Sequence, residues 1–420
     1  MKNSFLLLLL IGFQVTAYAQ DVAPGEAEFL KLKEKYDQLM EEWWQQEEGI
    51  EDKELRQQHF EQSYPAHVMT EPFFELEANY RGTNVGLSCL HQLISAVGAI
   101  SPQDDPANRA AQRALQLVSE HYLDHPDVEL ILSWIVGRDI DGCDEVLQKL
   151  AKSPHRKFQG QARIVMAQQC KSDIFDVATR QALLELMGDD AEFEERRSAL
   201  AEYQQRKAGL NLEARRQEAL ALLDEVDAQY ADINMPRRTP YGPMLIGKPD
   251  PEVDQILNYP RGTLGTASKS LRSALVDFGI GRTPPDFAAI DVNGIPRRLH
   301  DYRGKVLVLM FSFKGCGPCE AMYPHLRELL TKYSPDQFAI LGIMRDEEIE
   351  PVQEAVKDGT MTWPCIHDGP EGPIISRWNV TSFPGIYVLD HKGTIRYMGP
   401  REKLLERAIE KTLKSASETQ

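Results

Sequence analysis

A chain of 420 residues, 42% hydrophobic and 26% charged, exceeds what one hydrophobic core holds and has the composition of a globular protein of about two to three domains. Its net charge of -17 is uneven: 30 Lys and Arg stand against 45 Asp and Glu before residue 283, and 17 against 19 from there on. So acidic a chain is unsuited to nucleic acid or anionic lipid, and six cysteines in this length are too sparse for a disulfide-stapled scaffold.

The start carries Lys2, an apolar run from Phe5 to Phe13, and small residues at Ala17 and Ala19, the pattern of a secretory signal (residues 1–19) cleaved after Ala19. The run falls short of the ~20 apolar residues that span a bilayer, and no later stretch is long and apolar enough. Export to the bacterial periplasm or cell envelope is expected, with no membrane span after cleavage. In that oxidising setting Cys89, Cys143, Cys170, Cys316, Cys319 and Cys365 all count as disulfide partners or redox thiols.

Over residues 25–64, Phe29, Leu32, Tyr36, Leu39, Met40 and Trp43 recur every three or four positions among Glu, Lys and Gln, which predicts one long amphipathic helix. The Trp43-Trp44 pair reads as core or as a ligand-stacking platform. Helical periodicity returns at residues 85–100, 106–123, 128–138, 142–151, 157–170 and 175–186, punctuated at Asp124-His125-Pro126 and Ser153-Pro154-His155. The spacing is that of stacked helical hairpins, without a repeat consensus. Residues 192–230 form a charged helix, whole or broken into a coiled-coil hairpin. An acidic all-α domain over residues 20–233 is thus expected, then a linker over 234–282 with six prolines between Met235 and Pro260 and a short helix at 267–278.

From Pro285 the pattern turns to short β-rich runs alternating with helices. Residues 286–291 lead to an Asn293-Gly294 turn, and residues 306–313 are continuously apolar, as a central buried strand is. A helix at 320–333, a strand at 338–344, a helix at 350–358, strands at 386–389 and 394–398 around a His391-Lys392-Gly393 turn, and a helix at 401–413 follow. This order predicts a three-layer α/β sandwich over residues 283–414, with 415–420 a disordered tail.

Cys316-Gly317-Pro318-Cys319 falls at the junction between the buried strand and the helix after it. A thiol attacks a disulfide only as thiolate, so exchange needs one cysteine of low pKa and a second to resolve the mixed disulfide. Cys316 stands at the helix start, where backbone N–H groups favour an anion; Cys319, one turn on, is the resolving thiol. Half of a zinc site is the other reading of such a pair, but it needs two more ligands, and His325 and Cys365 stand isolated. No metal and no cofactor beyond the cysteine pair are expected. Cys365, between apolar neighbours, reads as a third redox thiol or as an inert core residue, Cys89 as core, and Cys143 and Cys170 as an open pair.

Residues 284–414 resemble the TlpA/ResA branch of thioredoxin-like proteins, relatives of the AhpC/TSA redoxin domain. The resemblance rests on Pro285-Asp286-Phe287, Gly304-Lys305-Val306, Phe311, the cysteine motif, Tyr323-Pro324 with Leu326, Trp378-Asn379-Val380, Phe383-Pro384, and Leu389-Asp390 with Gly393. It implies a thioredoxin-like fold in which Pro384 is cis, packs beside the cysteines and contacts substrate. The chain also departs from the pattern. Met310 stands where thioredoxins carry a buried Asp six residues before the first cysteine, and Met322 where this branch commonly has Glu. Glu320 becomes a substitute proton acceptor for Cys319 or a solvent-facing residue, and Lys314 a stabiliser of the Cys316 thiolate or a surface lysine. Gly385 replaces the common Thr after the proline, which is expected to ease access for a bulky partner.

The expected function is that of an exported thiol–disulfide oxidoreductase. It is read as a reductant because the Gly-Pro dipeptide resembles that of reducing thioredoxins. Its partners would be protein thiols and disulfides of the cell envelope, an upstream electron donor, and a protein held by the helical domain. Two alternatives stand beside it. One is a redoxin-type peroxidase with an antioxidant role, although Phe313 occupies the Thr position of a Thr-x-x-Cys motif; the other is a redox-sensing interaction protein.

Overall fold

The structure, a computed structural model, describes residues 24–47, 49–50, 52–97, 104–237 and 262–417. The signal segment, linker residues 238–261 and residues 418–420 lie outside the described residues. The chain forms two compact units, residues up to 169 with 221–267, and residues 170–220 with 268 onward. A boundary drawn by composition at 233 therefore differs from the packing, which assigns 170–220 to the C-terminal unit.

The first unit is helical. The single helix expected over 25–64 is two, α1 (Pro24–Glu47) and α2 (Lys53–Ser63), because Asp52 caps the second by accepting the Leu55 N–H at 2.9 Å. Trp43 is buried and stacks on His59 with ring centroids 5.6 Å apart, while Trp44 is 51% exposed, so the tandem pair divides between core and solvent. The unit continues through α3 (Pro65–Val68), α4 (Thr70–Asn79), α5 (Asn84–Ser95), α6 (Pro106–His121), α7 (Glu129–Ile135) and α8 (Cys143–Leu150). Asp105 starts α6 by accepting from Ala107 and Asn108, with Pro106 in the first turn, where a missing N–H costs nothing. Leu87, Leu90, Ile94, Leu115, Val118 and Ile131 fill the core, and Gly86 is required there because a Cβ would lie 2.1 Å from the Tyr122 hydroxyl. Two buried carboxylates are paired: Glu77 accepts from Tyr122 Oη and Arg81, both at 2.9 Å, and Glu129 from Gln161, Lys157 and Arg237.

The helices expected at 157–170 and 175–186 are one, α9 (Arg156–Met187); no Gly or Pro falls within 171–174 to end it. The charged stretch after it breaks into α10 (Glu194–Lys207) and α11 (Leu212–Gln229), because Asn211 accepts from Glu213 and Ala214 and caps the second helix. Next comes α12 (Leu264–Asp277).

In the second unit a small hairpin, β1 (Ala288–Ile290) with β2 (Pro296–Arg298), precedes the main sheet; β2 was not apparent in the sequence. The sheet has the order β5-β4-β3-β6-β7 from β3 (Val306–Ser312), β4 (Phe338–Met344), β5 (Cys365–His367), β6 (Gly385–Leu389) and β7 (Ile395–Met398). β3 runs parallel to β4, and β4 to β5; β6 is antiparallel to β3 and β7. β3 is buried on both faces. Val306, Val308 and Met310 meet one apolar cluster with Leu326 and Leu329 of α14 (Tyr323–Lys332), Val352 of α15 (Glu350–Lys357) and Leu405 of α17 (Glu402–Ser417). Leu307, Leu309 and Phe311 meet the other with Phe278 and with Ile374 and Trp378 of α16 (Pro373–Trp378). Helices thus cover both faces of a mixed sheet, the three-layer sandwich read from the alternation. Leu183, Leu186, Met187 and Leu200 belong to the first of these clusters, which is why 170–220 packs here. The closing helix α17 runs to Ser417, taking in residues read as tail.

Candidate active site

The helix expected at 320–333 is interrupted. α13 (Gly317–Glu320) is one turn, and α14 starts anew at Tyr323, because the ring of Pro324 removes an N–H and displaces the carbonyl of residue 320. Cys316 is the N-cap of α13: the Cys319 N–H points at its sulfur, 3.3 Å away. The two cysteines form a disulfide with Cα atoms 5.2 Å apart. Cys316 is 6% exposed and Cys319 fully buried, so what little of the pair meets solvent belongs to the first cysteine.

The segment before Cys316 is clasped at three points. The parallel register sets Ser312 beside Met344, so two residues past each strand Lys314 faces Asp346, whose Oδ1 accepts the Lys314 N–H at 2.9 Å. Glu320 Oε1 accepts from Gly315 N at 3.1 Å and from Lys314 Nζ at 2.7 Å. Gly315 supplies the left-handed turn, φ 84°, that a side chain would disfavour. Lys314 and Glu320, read separately as thiolate stabiliser and proton acceptor, are therefore partners of each other. The hydrogen bond from Lys314, aided by that from Gly315, holds the Glu320 carboxyl below the usual carboxylate range. A weaker base results.

Below lie apolar groups. Met310 and Met322 are buried in the same cluster as both cysteines, where an acid was absent from the sequence pattern. Asp346 was missed in the sequence, because it lies thirty residues on. Its Oδ2 is buried and has no hydrogen-bond partner among the described residues. Its neighbourhood is polar: the Asp346 carbonyl bonds to His367 Nε2 at 2.8 Å, and Ser312 Oγ meets Tyr323 Oη at 2.8 Å. Burial pushes the Tyr323 hydroxyl up to about 12. Cys365 is fully buried, its sulfur 3.9 Å from the Met361 thioether, and burial pushes its thiol up to about 12, which suits an inert core residue. Cys89 and Cys143 are buried thiols too, and no disulfide joins Cys143 to Cys170.

The Phe383-Pro384 peptide is cis. Phe383 packs edge-on against Phe313, ring centroids 5.5 Å apart, and the Arg345 guanidinium lies 5.9 Å from the Phe383 ring centroid, so the proline loop and the pre-cysteine segment meet. Thr381 and Ser382, just before, are exposed. Gly385 does not open the cysteine side. A Cβ there would lie 3.1 Å from Val380 Cγ1 and 3.4 Å from Phe311 Cβ, on the opposite face, where those side chains take the space a Thr would need. Among the described residues no group of three His, Cys, Asp or Glu could hold a metal ion, and no helix is long and apolar enough to cross a membrane.

This sheet order, with a Cys-x-x-Cys disulfide at the end of its central strand and a cis-proline loop against it, defines a thioredoxin-fold thiol–disulfide protein. Residues 280–398 match the AhpC/TSA family. The chain is 31% identical over 117 residues to the thiol-disulfide oxidoreductase ResA of Geobacillus kaustophilus, covering 28% of this chain and 67% of that protein. It is 31% identical over 119 residues to the thioredoxin-like protein YneN of Bacillus subtilis, covering 28% and 68%. Through this region the chain belongs to the ResA-type thiol–disulfide oxidoreductase family. Solved structures similar to it include the thioredoxin domain of a thiol-disulfide oxidoreductase from Bacteroides vulgatus, at 24% identity over 32% of this chain and 99% of that one with a TM-score of 0.31. Another is a protein disulfide isomerase-like structure from Bacteroides thetaiotaomicron, at 27% over 33% and 93% with a TM-score of 0.30. By its likeness to the ResA-type relatives, the chain is an enzyme of thiol–disulfide exchange.

Proposed function

We propose that this protein is an exported reductant of protein disulfides in the cell envelope. The observation that carries the reading is the graded burial of the cysteine pair: Cys316, 6% exposed, caps α13, and Cys319 is fully buried three residues on. The reduced Cys316 thiolate attacks a substrate disulfide, forming a mixed disulfide and releasing one substrate thiolate. Cys319, deprotonated, then attacks the Cys316 sulfur, closing the Cys316–Cys319 disulfide and releasing the second thiolate. The substrate gains two electrons, and an upstream dithiol donor returns two to the enzyme. No cofactor beyond the cysteine pair is needed.

Three features bear on the details. Met310 and Met322 offer no base and Glu320 is held by Lys314; we assign the Cys319 proton to Asp346, whose buried Oδ2 has no hydrogen-bond partner among the described residues and whose Oδ1 holds the loop before Cys316. Lys314 and Glu320 act as a clasp that fixes the loop. The exposed residues Thr381 and Ser382, ahead of cis-Pro384, are the segment read as meeting the substrate chain. Export rests on the signal pattern of residues 1–19. The test is insulin reduction by the reduced full chain, with the potential of the pair measured against glutathione. The reading predicts turnover and a potential near thioredoxin's ~-270 mV; a value near ~-120 mV would make the protein an oxidant instead.

A further inference from the structure

The loop carrying Pro384 leaves α16 through Asn379, which adopts the left-handed backbone, φ 51°, that closes that helix. Asn379 is gripped by two residues that precede the thioredoxin-like region in the chain. Lys171, on α9, donates Nζ to Asn379 Oδ1 at 2.5 Å and to its backbone carbonyl at 3.3 Å. Ser270, on α12, accepts from Asn379 Nδ2 at 2.9 Å and donates its own hydroxyl to the Ser376 carbonyl of α16. All these residues lie in the second unit.

A cation spent on one asparagine fixes both its rotamer and its peptide plane, since the side-chain and backbone oxygens are bound together. Burial pulls the Lys171 pKa down to about 8, opposed by the nearby Asp176 carboxylate, so the ammonium is held at a desolvation cost. Past the elbow, the Val380 N–H bonds to the Ile375 carbonyl at 3.2 Å, and the Val380 side chain fills the space over Gly385. Thr381 and Ser382 thus stand exposed between two fixed points, the Asn379 elbow and the packed Phe383-Pro384 pair.

We propose that Lys171, seconded by Ser270, is a positioning residue for exchange: it sets the Asn379 elbow and with it the presentation of residues 381–384 to a polypeptide disulfide. The inference rests on reading that segment as the substrate edge. It places the effect on docking of an extended chain rather than on the chemistry at Cys316 and Cys319.

The test uses the full chain with insulin as the polypeptide substrate and oxidised glutathione as the small one. Lys171→Met, which removes both charged hydrogen bonds to Asn379, is expected to raise the KM for insulin by about tenfold with kcat nearly unchanged. Glutathione disulfide should be reduced at the wild-type rate, and Lys171→Arg should recover most of the insulin KM. An unchanged insulin KM, or a parallel fall with both substrates, overturns the proposal. Should Lys171→Met fail to fold, Ser270→Ala, which removes only the second grip, is read by the same split. Cys316→Ser is the separate control: if it still reduces insulin, the exchange reading falls irrespective of Lys171.

Discussion

Cys316 and Cys319 are three residues apart, yet they meet different surroundings. Cys316 has the Cys319 N–H at its sulfur and what little exposure the pair has; Cys319 has Met310 and Met322 in its cluster. An apolar floor resists charge, so the second step of exchange depends on whatever base is within reach. Asp346→Asn tests this without loosening the loop, because the amide oxygen still accepts the Lys314 N–H. The variant should attack substrate at the wild-type rate but resolve the mixed disulfide roughly 10- to 100-fold more slowly, seen as accumulated intermediate in a rapid quench. Resolution at the wild-type rate would remove Asp346 from the relay.

At the scale of the elements, the glycine after the cis proline is explained by the antiparallel register of β3 and β6, which sets Gly385 opposite Phe311. Gly385→Thr, which restores the residue common in the family, is expected to destabilise the fold by about 1–3 kcal/mol through overpacking against Val380, measured by urea unfolding. Equal or greater stability would show that Val380 yields. The sandwich was readable in the sequence because β3 and β4 are unbroken apolar runs, and the motif because Cys-x-x-Cys follows the first of them. Asp346 was not, since it depends on strand register: only once β3 and β4 are known to be parallel neighbours do positions 314 and 346 fall side by side. β2, three residues with no apolar pattern, is likewise silent in the sequence, and the split of the motif helix turns on how the Pro324 ring meets the preceding turn. Periodicity also misjudged continuity, running α1 into α2 and dividing α9, because a single Asp cap or the lack of a breaker decides such points.

At the scale of the second unit as a whole, residues 170–220 belong to the redox core although composition groups them with the acidic helices. Asp190 shows how they are tied. The Glu192 N–H first, then Lys403 and Arg407 of α17, hold its pKa down to about 2. An unfolded Asp titrates near ~3.9, so the bond's contribution is present above that pH and fades as the pH falls toward 2. Asp190→Asn should therefore lower the melting temperature at neutral pH, with the gap to wild type closing as the pH drops from 4 to 2; a pH-independent gap would contradict the assignment. The central claim is that Cys316 attacks and Cys319 resolves. It is tested most directly by incubating reduced Cys319→Ser with a disulfide-containing protein and identifying the adduct by non-reducing electrophoresis and peptide mass spectrometry. A stable mixed disulfide at Cys316, released by dithiothreitol and absent from Cys316→Ser, is predicted. An adduct carried instead by Cys319 in the reciprocal Cys316→Ser variant, with none at Cys316, would contradict it.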